Sequence, residues 1–169
     1  MRNIHKSKIH CEAALIDIAK NARDSNVCSE AVKKIHDEAA LIDIAKNNSD
    51  NSTRSDAINR IHDMDVLIDI ARNKDESLNI RKAALENVFD EDILIDIACN
   101  DSNSAVRKFA VEKINNVEAL VDIAYNDSHA IHYPGSFNSA NDGRSEPQNI
   151  EYPIRNAAKN RLKELDINK

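Results

Sequence analysis

Apolar positions along this chain follow a pattern that recurs about every 26 residues. The clearest element is an eight-residue string of Leu, Ile and Ala around a single Asp, and it occurs five times. The leading leucines of the five strings, spaced 26, 26, 27 and 26 residues apart, are Leu15, Leu41, Leu67, Leu94 and Leu120. Such a period is typical of a repeat protein, in which each unit buries its apolar face against its neighbours.

We expect two short helices in each repeat. The first, helix A, contains the string, and residues with good N-cap side chains mark its start: Asp37, Asp63, Asp90 and Asn116. The first turn is acidic, as the helix dipole favours, at Glu38, Asp65, Glu91, Asp92 and Glu118. Asparagines mark its end: Asn21, Asn47, Asn73, Asn100 and Asn126. Asparagine adopts the left-handed conformation more readily than most residues, so we expect these residues to close helix A in that conformation.

The second helix, helix B, is clearest at 105–114. Equivalent segments lie at 26–35, 52–61, 79–88 and 153–162, and 3–10 is typical of a truncated helix B at the N-terminus. On a helical wheel at about 100° per residue, the apolar arc of helix B contains Val106, Phe109, Ala110, Val111 and Ile114. The arc of helix A contains Val66, Leu67, Ile68, Ile70 and Ala71. Because such short helices are unstable alone in water, we expect both arcs to be buried in one continuous core.

Three features of the repeat carry a resemblance to a known family. They are the Leu-x-x-Ile-Ala of helix A, an Asp six residues before an Arg of helix B, and an Ala three residues later, as in Asp101, Arg107 and Ala110. The chain resembles the HEAT-like family of short α-helical repeats, including phycobilin-lyase-type HEAT repeats and leucine-rich-variant repeats. Asn48 replaces the Asp before Arg54, and Cys28 stands where the first repeat would have its Arg. The resemblance covers about residues 3–127 and 153–165.

We therefore predict an all-α fold. The resemblance implies an α-solenoid, a right-handed superhelix of about five two-helix repeats of 26–27 residues. We expect one domain over residues 1–169, with a loop insertion at 128–153 inside the last repeat. An elongated, curved monomer follows from this architecture.

The amino-acid composition argues against several classes of function. The net charge of −6 is unfavourable for neutralising phosphates, so we do not expect a nucleic-acid binder. The three cysteines, Cys11, Cys28 and Cys99, have no metal-type spacing and are predicted to be free thiols. The polar start of the chain and the lack of a long apolar run predict a cytoplasmic protein that does not insert into membranes. No cofactor motif is present in the sequence, and we expect no cofactor.

Candidate catalytic groups all have a plainer structural explanation. The recurring aspartates of helix A (Asp17, Asp43, Asp69, Asp96 and Asp122) are predicted to face solvent beside Lys20, Lys46 and Arg72. The doublets His36–Asp37 and His62–Asp63 are similar to phosphohydrolase metal motifs, but here each Asp is placed as an N-cap. Neighbouring repeats stack about 10 Å apart, too far for these groups to share one metal. We therefore expect no enzyme and no metal site.

The better candidate is the surface of helix B, which in the HEAT-like family lines the concave side. The resemblance then places on that side Ser29, Lys33, His36, Ser55, Asn59, His62, Lys82, Glu86, Phe89, Lys108, Glu112 and Asn115. The assigned partner-binding residues among them are Lys33, His36, Asn59, His62, Lys82, Glu86, Lys108 and Glu112. Lys82–Glu86 and Lys108–Glu112 are i,i+4 pairs that neutralise each other. A mixed-charge surface favours a protein partner over nucleic acid, and a solvated face without a ligand is the alternative.

The insertion at 128–153 supplies the second candidate. It contains every Gly and Pro of the chain, and its potential contact residues are His129, His132, Tyr133 and Phe137. Long insertions in repeat arrays often belong to a binding face, so we predict a recognition loop. A structural cover over the last repeat is the alternative, and a metal site at the two histidines is a third possibility.

Taken together, these features predict a scaffold that binds another protein through the helix-B surface, the insertion, or both. Two alternatives stay open, a helical-repeat nucleic-acid binder and an accessory subunit or lyase-like enzyme that uses the insertion as its active loop. The sequence predicts neither the oligomeric state nor the identity of the partner.

Overall fold

The computed structural model describes residues 2–125 and 153–166. Over these residues the chain forms ten α-helices and no strand. In chain order the helices are α1 (Arg2–Asn21), α2 (Ser25–Val32), α3 (Glu38–Asn47), α4 (Asn51–Ile58), α5 (Met64–Arg72), α6 (Leu78–Glu86), α7 (Glu91–Asn100), α8 (Ser104–Lys113), α9 (Val117–Tyr125) and α10 (Pro153–Asp166). The predicted all-α repeat fold is confirmed.

The chain divides into two compact units, Met1–Val88 and Phe89–Lys169. In the first unit, α1 packs on α2, α3 on α4 and α5 on α6, while the B helices stack in the order α2, α4, α6. In the second unit, α7 packs on α8, and α10 packs on both α9 and α8. One solenoid domain with a right-handed superhelix stays a prediction.

The core follows the repeated apolar positions. In every A helix from α3 to α9, the Leu, Ile and Ala of the string are buried: Leu41, Ile44, Ala45, Leu67, Ile70, Ala71, Leu94, Ile97, Ala98, Leu120, Ile123 and Ala124. Val106, Ala110, Val111 and Ile114 form the buried face of α8, and Phe109 is half-buried. Burying a Leu or Ile side chain stabilises a fold by about 1.5–3 kcal/mol, so the repeated string and the apolar face of helix B both contribute to the packing energy of each repeat.

The predicted starts of helix A are confirmed. Asp37, Asp63 and Asp90 are the N-caps of α3, α5 and α7. Ahead of α9, the side chain of Asn116 accepts a hydrogen bond from the backbone of Ala119 at 3.1 Å. These side chains supply acceptors for backbone N–H groups that have no partner within the helix.

The prediction of left-handed asparagines at the ends of helix A is wrong for Asn21, Asn47, Asn73 and Asn100, and Asn126 lies outside the described residues. Asn47 and Asn100 are the last residues of right-handed helices, and the next residues, Asn48 and Asp101, are extended, with φ of −69° and −67°. Asn73, the C-cap of α5, also has φ of −69°. The side chains of these three C-cap residues instead accept the backbone N–H two residues ahead, at 2.8–3.1 Å. Such Asx turns reverse the chain with these three C-cap residues in an extended conformation.

The N-terminal prediction is also wrong in one respect. Instead of a separate truncated helix B at residues 3–10, α1 runs without a break from Arg2 to Asn21. Cys11 occupies the position at which Asp37 and Asp63 cap the later A helices. Because cysteine is not a favourable N-cap, the sequence provides no signal that would start a new helix there.

Candidate functional site

The predicted partner-binding residues of the first unit occupy equivalent positions in neighbouring repeats. Lys33 and Asn59 are the C-cap residues of α2 and α4, and His36 and His62 lie in the turns that follow these helices. All four residues are exposed, and the side chains of His36 and His62 are 83% and 89% accessible. Because α2 packs against α4, the two sets form one recurring surface, which we call the first helix-B face.

The charge of Lys33 is compensated within its own helix. Its Nζ lies 2.7 Å from Oε1 of Glu30, one turn earlier. This hydrogen bond lowers the pKa of Glu30 and raises the pKa of Lys33. Both groups are exposed, so the pair makes little difference to stability, but it leaves the surface polar and nearly neutral at this point.

The third repeat continues the first helix-B face. Lys82 is half-buried and Glu86 is exposed on α6, and their pairing with each other stays a prediction. Asn87, the C-cap of α6, donates from its side-chain amide to Oδ1 of Asn59 at 3.0 Å. Neighbouring B helices are thus joined at their C-terminal ends by a side-chain hydrogen bond.

In the second unit, Lys108 and Glu112 lie exposed on α8, and their charged groups are 3.7 Å apart. The predicted i,i+4 pair is therefore confirmed. Both residues border a groove of about 250 Å³ between α8 and α10, which we call the second helix-B face and which is lined by Lys108, Glu112, Ala157, Asn160, Arg161 and Glu164. Two cations and two anions line this groove, so its charge is balanced.

Arg161 is the fixed element of that groove. Its guanidinium donates to the backbone oxygen of Ile114 at 3.1 Å, to Oδ1 of Asn115 at 2.7 Å and to Oε2 of Glu164 at 3.0 Å. The bonds to Ile114 and Asn115 hold α10 against the C-terminal end of α8, while the bond to Glu164 lies within α10 and orients the guanidinium. The side of the groove that Arg161 forms is therefore fixed before any partner binds.

Phe89 is the most exposed large apolar side chain among the described residues, at 74% accessibility. It lies in the turn before α7, at the position that His36 and His62 occupy in earlier repeats. The Nζ of Lys113 is 4.8 Å from the centroid of its ring. This cation–π contact holds the ring at the surface although the ring is not buried.

The insertion falls outside the described residues. His129, His132, Tyr133 and Phe137, the four potential contact residues of the predicted recognition loop, lie in the range 126–152 that the structure does not describe. Their assignment stays a prediction.

The aspartates of helix A form a hydrogen-bonded outer surface. Asp17, Asp69 and Asp96 are exposed as predicted, whereas Asp43 and Asp122 are half-buried. Asp17, Asp43 and Asp96 each accept from the Asn four residues later at 2.7–2.8 Å. Lys20, predicted to pair with Asp17, instead forms a salt bridge with Asp43 of the next repeat. The hydrogen bond from Lys20, reinforced by one from Asn47, lowers the pKa of Asp43.

The candidate catalytic groups have structural roles. Asp37 and Asp63 of the His–Asp doublets are helix N-caps, as predicted. Cys28 is buried and donates to the backbone oxygen of Ala22 at 3.3 Å. Burial, with the negative charge of Asp96, raises the pKa of Cys99, and a nucleophilic thiol needs the opposite shift. Within residues 2–125 and 153–166, no three His, Cys, Asp or Glu side chains converge as a metal site requires.

The sequence patterns did not predict the role of three glutamates at equivalent positions of the repeat, Glu38 and Glu91 at the start of α3 and α7 and Glu12 within α1. Glu12, Glu38 and Glu91 each accept backbone N–H groups from the turn one repeat later. The recurrence of Glu at this position of the repeat could have indicated a repeated contact. Glu38 and Glu91 also suit the helix dipole, however, and that explanation concealed their contact across the repeats.

In the part of the chain that the structure describes, no helix combines the length and apolarity needed to cross a membrane. The resemblance to HEAT-like repeats rests on the motifs alone. No family model, curated protein or solved structure matches the chain.

Proposed function

We propose that this chain is a helical-repeat scaffold that binds another protein through its two helix-B faces. The observation that carries the proposal is the exposure of equivalent polar positions, Lys33 with His36 and Asn59 with His62, in successive repeats. These side chains lie at the ends of helices whose opposite sides are buried. A partner can bind to positions that are already fixed, which reduces the entropic cost of association.

The charge pattern supports a protein partner. Lys33 pairs with Glu30, and Lys108 pairs with Glu112, so two of the lysines of the helix-B faces have a carboxylate neighbour. A surface of this kind offers both donors and acceptors, as the polar parts of protein interfaces do. Binding to a phosphate backbone depends on uncompensated Lys and Arg.

Phe89 supports the same proposal for the second unit. Its exposed ring, in contact with Lys113, is the kind of side chain that often contributes most to binding energy when a partner covers it. A variant that removes this ring without disturbing the core therefore tests the second unit separately.

Quantitative affinity capture with the full chain tests the proposal. The double variant Lys33→Glu, His62→Glu alters the first helix-B face, and Phe89→Ser removes the exposed ring of the second unit. Lys46→Glu, on the exposed side of α3, is the matched control on a helix-A surface. We expect at least one captured protein to be lost with a helix-B variant and retained with the control. Equal capture by all four proteins would contradict the proposal.

A gel-shift titration separates the protein partner from nucleic acid. We expect no binding to DNA or RNA at physiological ionic strength. Phosphate contacts weaken steeply with added salt. Tight, salt-sensitive binding that disappears in the Lys82→Glu, Lys108→Glu double variant would therefore favour nucleic-acid binding over protein binding as the function.

A further inference from the structure

The turn before each A helix contains backbone N–H groups that its own helix does not satisfy. In an ordinary capping box, a Glu or Gln at the third helical position reaches back to the N-cap N–H. Here the N-caps Asp37 and Asp63 bond forward to the third position in the usual way. The third positions themselves are apolar in the four repeats with such a turn: Ala40, Val66, Ile93 and Ala119. The helix therefore cannot complete its own capping box.

The missing acceptor is supplied by the preceding repeat. Oε1 of Glu38 accepts the N–H groups of His62 at 2.7 Å and of Asp63 at 3.0 Å. Oε1 of Glu12 accepts the N–H of Asp37 at 3.1 Å and also that of His36. The same offsets of 24 and 25 residues recur in each case.

The second unit repeats the arrangement. Glu91 accepts the N–H of Asn115 at 3.0 Å through Oε1 and the N–H of Asn116 at 3.4 Å through Oε2. Three occurrences with the same offsets of 24 and 25 residues, in both units, make this a recurring feature of the repeat. At the corresponding position the third and fifth repeats have Met64 and Val117, which provide no carboxylate.

We propose that this cross-repeat cap, the Glu of one repeat bound to the turn of the next, is a conformational device that couples the opening of adjacent repeats. The turn donors have a charged acceptor only while the preceding repeat is docked. When the first repeat opens, His36 and Asp37 lose their acceptor, and the start of α3 is weakened. Stability in a repeat array depends on such nearest-neighbour terms, and the cap is one of them.

Amide hydrogen exchange of the full chain, resolved by residue, tests the proposal at the donors themselves. Glu38→Ala removes the acceptor and should accelerate exchange at His62 and Asp63 by about tenfold. Glu38→Gln keeps an uncharged acceptor oxygen and should give a smaller increase. His36 and Asp37, which are capped by Glu12, should keep their exchange rates in both variants. Glu30→Ala, which removes a carboxylate paired within its own helix, is the matched control and should leave all four amides unchanged.

Two results would overturn the proposal. One is unchanged exchange at His62 and Asp63 in Glu38→Ala. The other is equal acceleration at both turns, which would indicate general destabilisation. If Glu38→Ala does not fold, Glu12→Ala decides the question: exchange should accelerate at His36 and Asp37 and stay unchanged at His62 and Asp63, and unchanged exchange at His36 and Asp37 would refute the cap.

Discussion

Single arginines connect the A and B helices at the residue scale. Nε of Arg54 donates to the backbone oxygen of Ala45 at 2.7 Å, and Nε of Arg81 donates to that of Ala71 at the same distance. Both acceptors lie in the last turn of an A helix, where carbonyl groups lack helical partners. In the second and third repeats the Arg of the motif thus closes the helix before it, whereas Nη1 of Arg107 donates to the backbone oxygens of Asp101 and Ser102. The guanidinium of Arg54 also pairs with Glu76 of the next repeat.

Replacement of Arg54 tests this role. Its side chain is only 12% accessible and that of Glu76 only 17%, so solvent screens the pair weakly. We expect Arg54→Ala to lower the free energy of unfolding by about 2–4 kcal/mol, because it leaves a part-buried carboxylate and a carbonyl without their donor. Arg23→Ala, at an exposed position, should change the free energy of unfolding by less than about 0.5 kcal/mol. Chemical denaturation of the two variants makes the comparison, and equal stabilities would show that the Arg54 contacts contribute nothing.

At the scale of the element, helix boundaries were predicted where a short-range signal exists. Asp37 and Asp63 start their helices as expected, because an N-cap acts within three residues of the chain. The closing Asx turns were missed, since asparagine suits both a left-handed cap and an Asx turn. The cross-repeat caps were missed for a different reason. Glu38 lies 24 residues from His62, and only the packing of the repeats brings the two together.

The N-cap of α4 yields a pH-dependent prediction. Asp50 accepts hydrogen bonds from the side chain and backbone of Thr53 and from the hydroxyl of Ser25, and these bonds lower the pKa of Asp50 below its ordinary value of 3.8. The charged form is therefore stabilised by folding. This contribution to the free energy of unfolding is fully present above pH 3.8, the ordinary pKa, and is lost as the pH falls through the lowered pKa of Asp50.

Thermal unfolding measured between neutral pH and about pH 2 checks this prediction. Asp50→Asn keeps a capping side chain but removes the charge, so we expect a shallower loss of stability in acid than in the unaltered protein. Asp50→Ala should lower the free energy of unfolding by about 1 kcal/mol at neutral pH. Asp65→Asn, in the first turn of α5, is the control. An acid profile of Asp50→Asn identical to that of the unaltered protein would contradict the assignment.

At the scale of the whole molecule, the repeat period was the strongest sequence signal, and the structure confirms the helix pairs that it predicts. The period was readable because the Leu, Ile and Ala that are buried in the last four strings recur at the same positions of the repeat. The candidate site was less predictable. Exposure of the helix-B positions followed from the apolar arcs. The groove beside α10 depends on the contacts of Arg161 with Ile114 and Asn115, which lie 47 and 46 residues away in the chain, so no local pattern shows them.

Removal of one complete repeat tests the central claim, that the chain is an array of interchangeable units joined by neighbour contacts. Deletion of residues 38–63 joins Asp37 to Met64, so the N-cap of α3 replaces that of α5 and Glu12 still lies one repeat before the turn. Deletion of residues 38–50 removes only half a unit and is the matched control. Circular dichroism with thermal unfolding of both proteins is the measurement. We predict that the first protein keeps its helical content per residue and unfolds cooperatively at a lower temperature, while the second loses both properties. Loss of helical structure in both proteins, or its full retention in both, would contradict the repeat architecture described here.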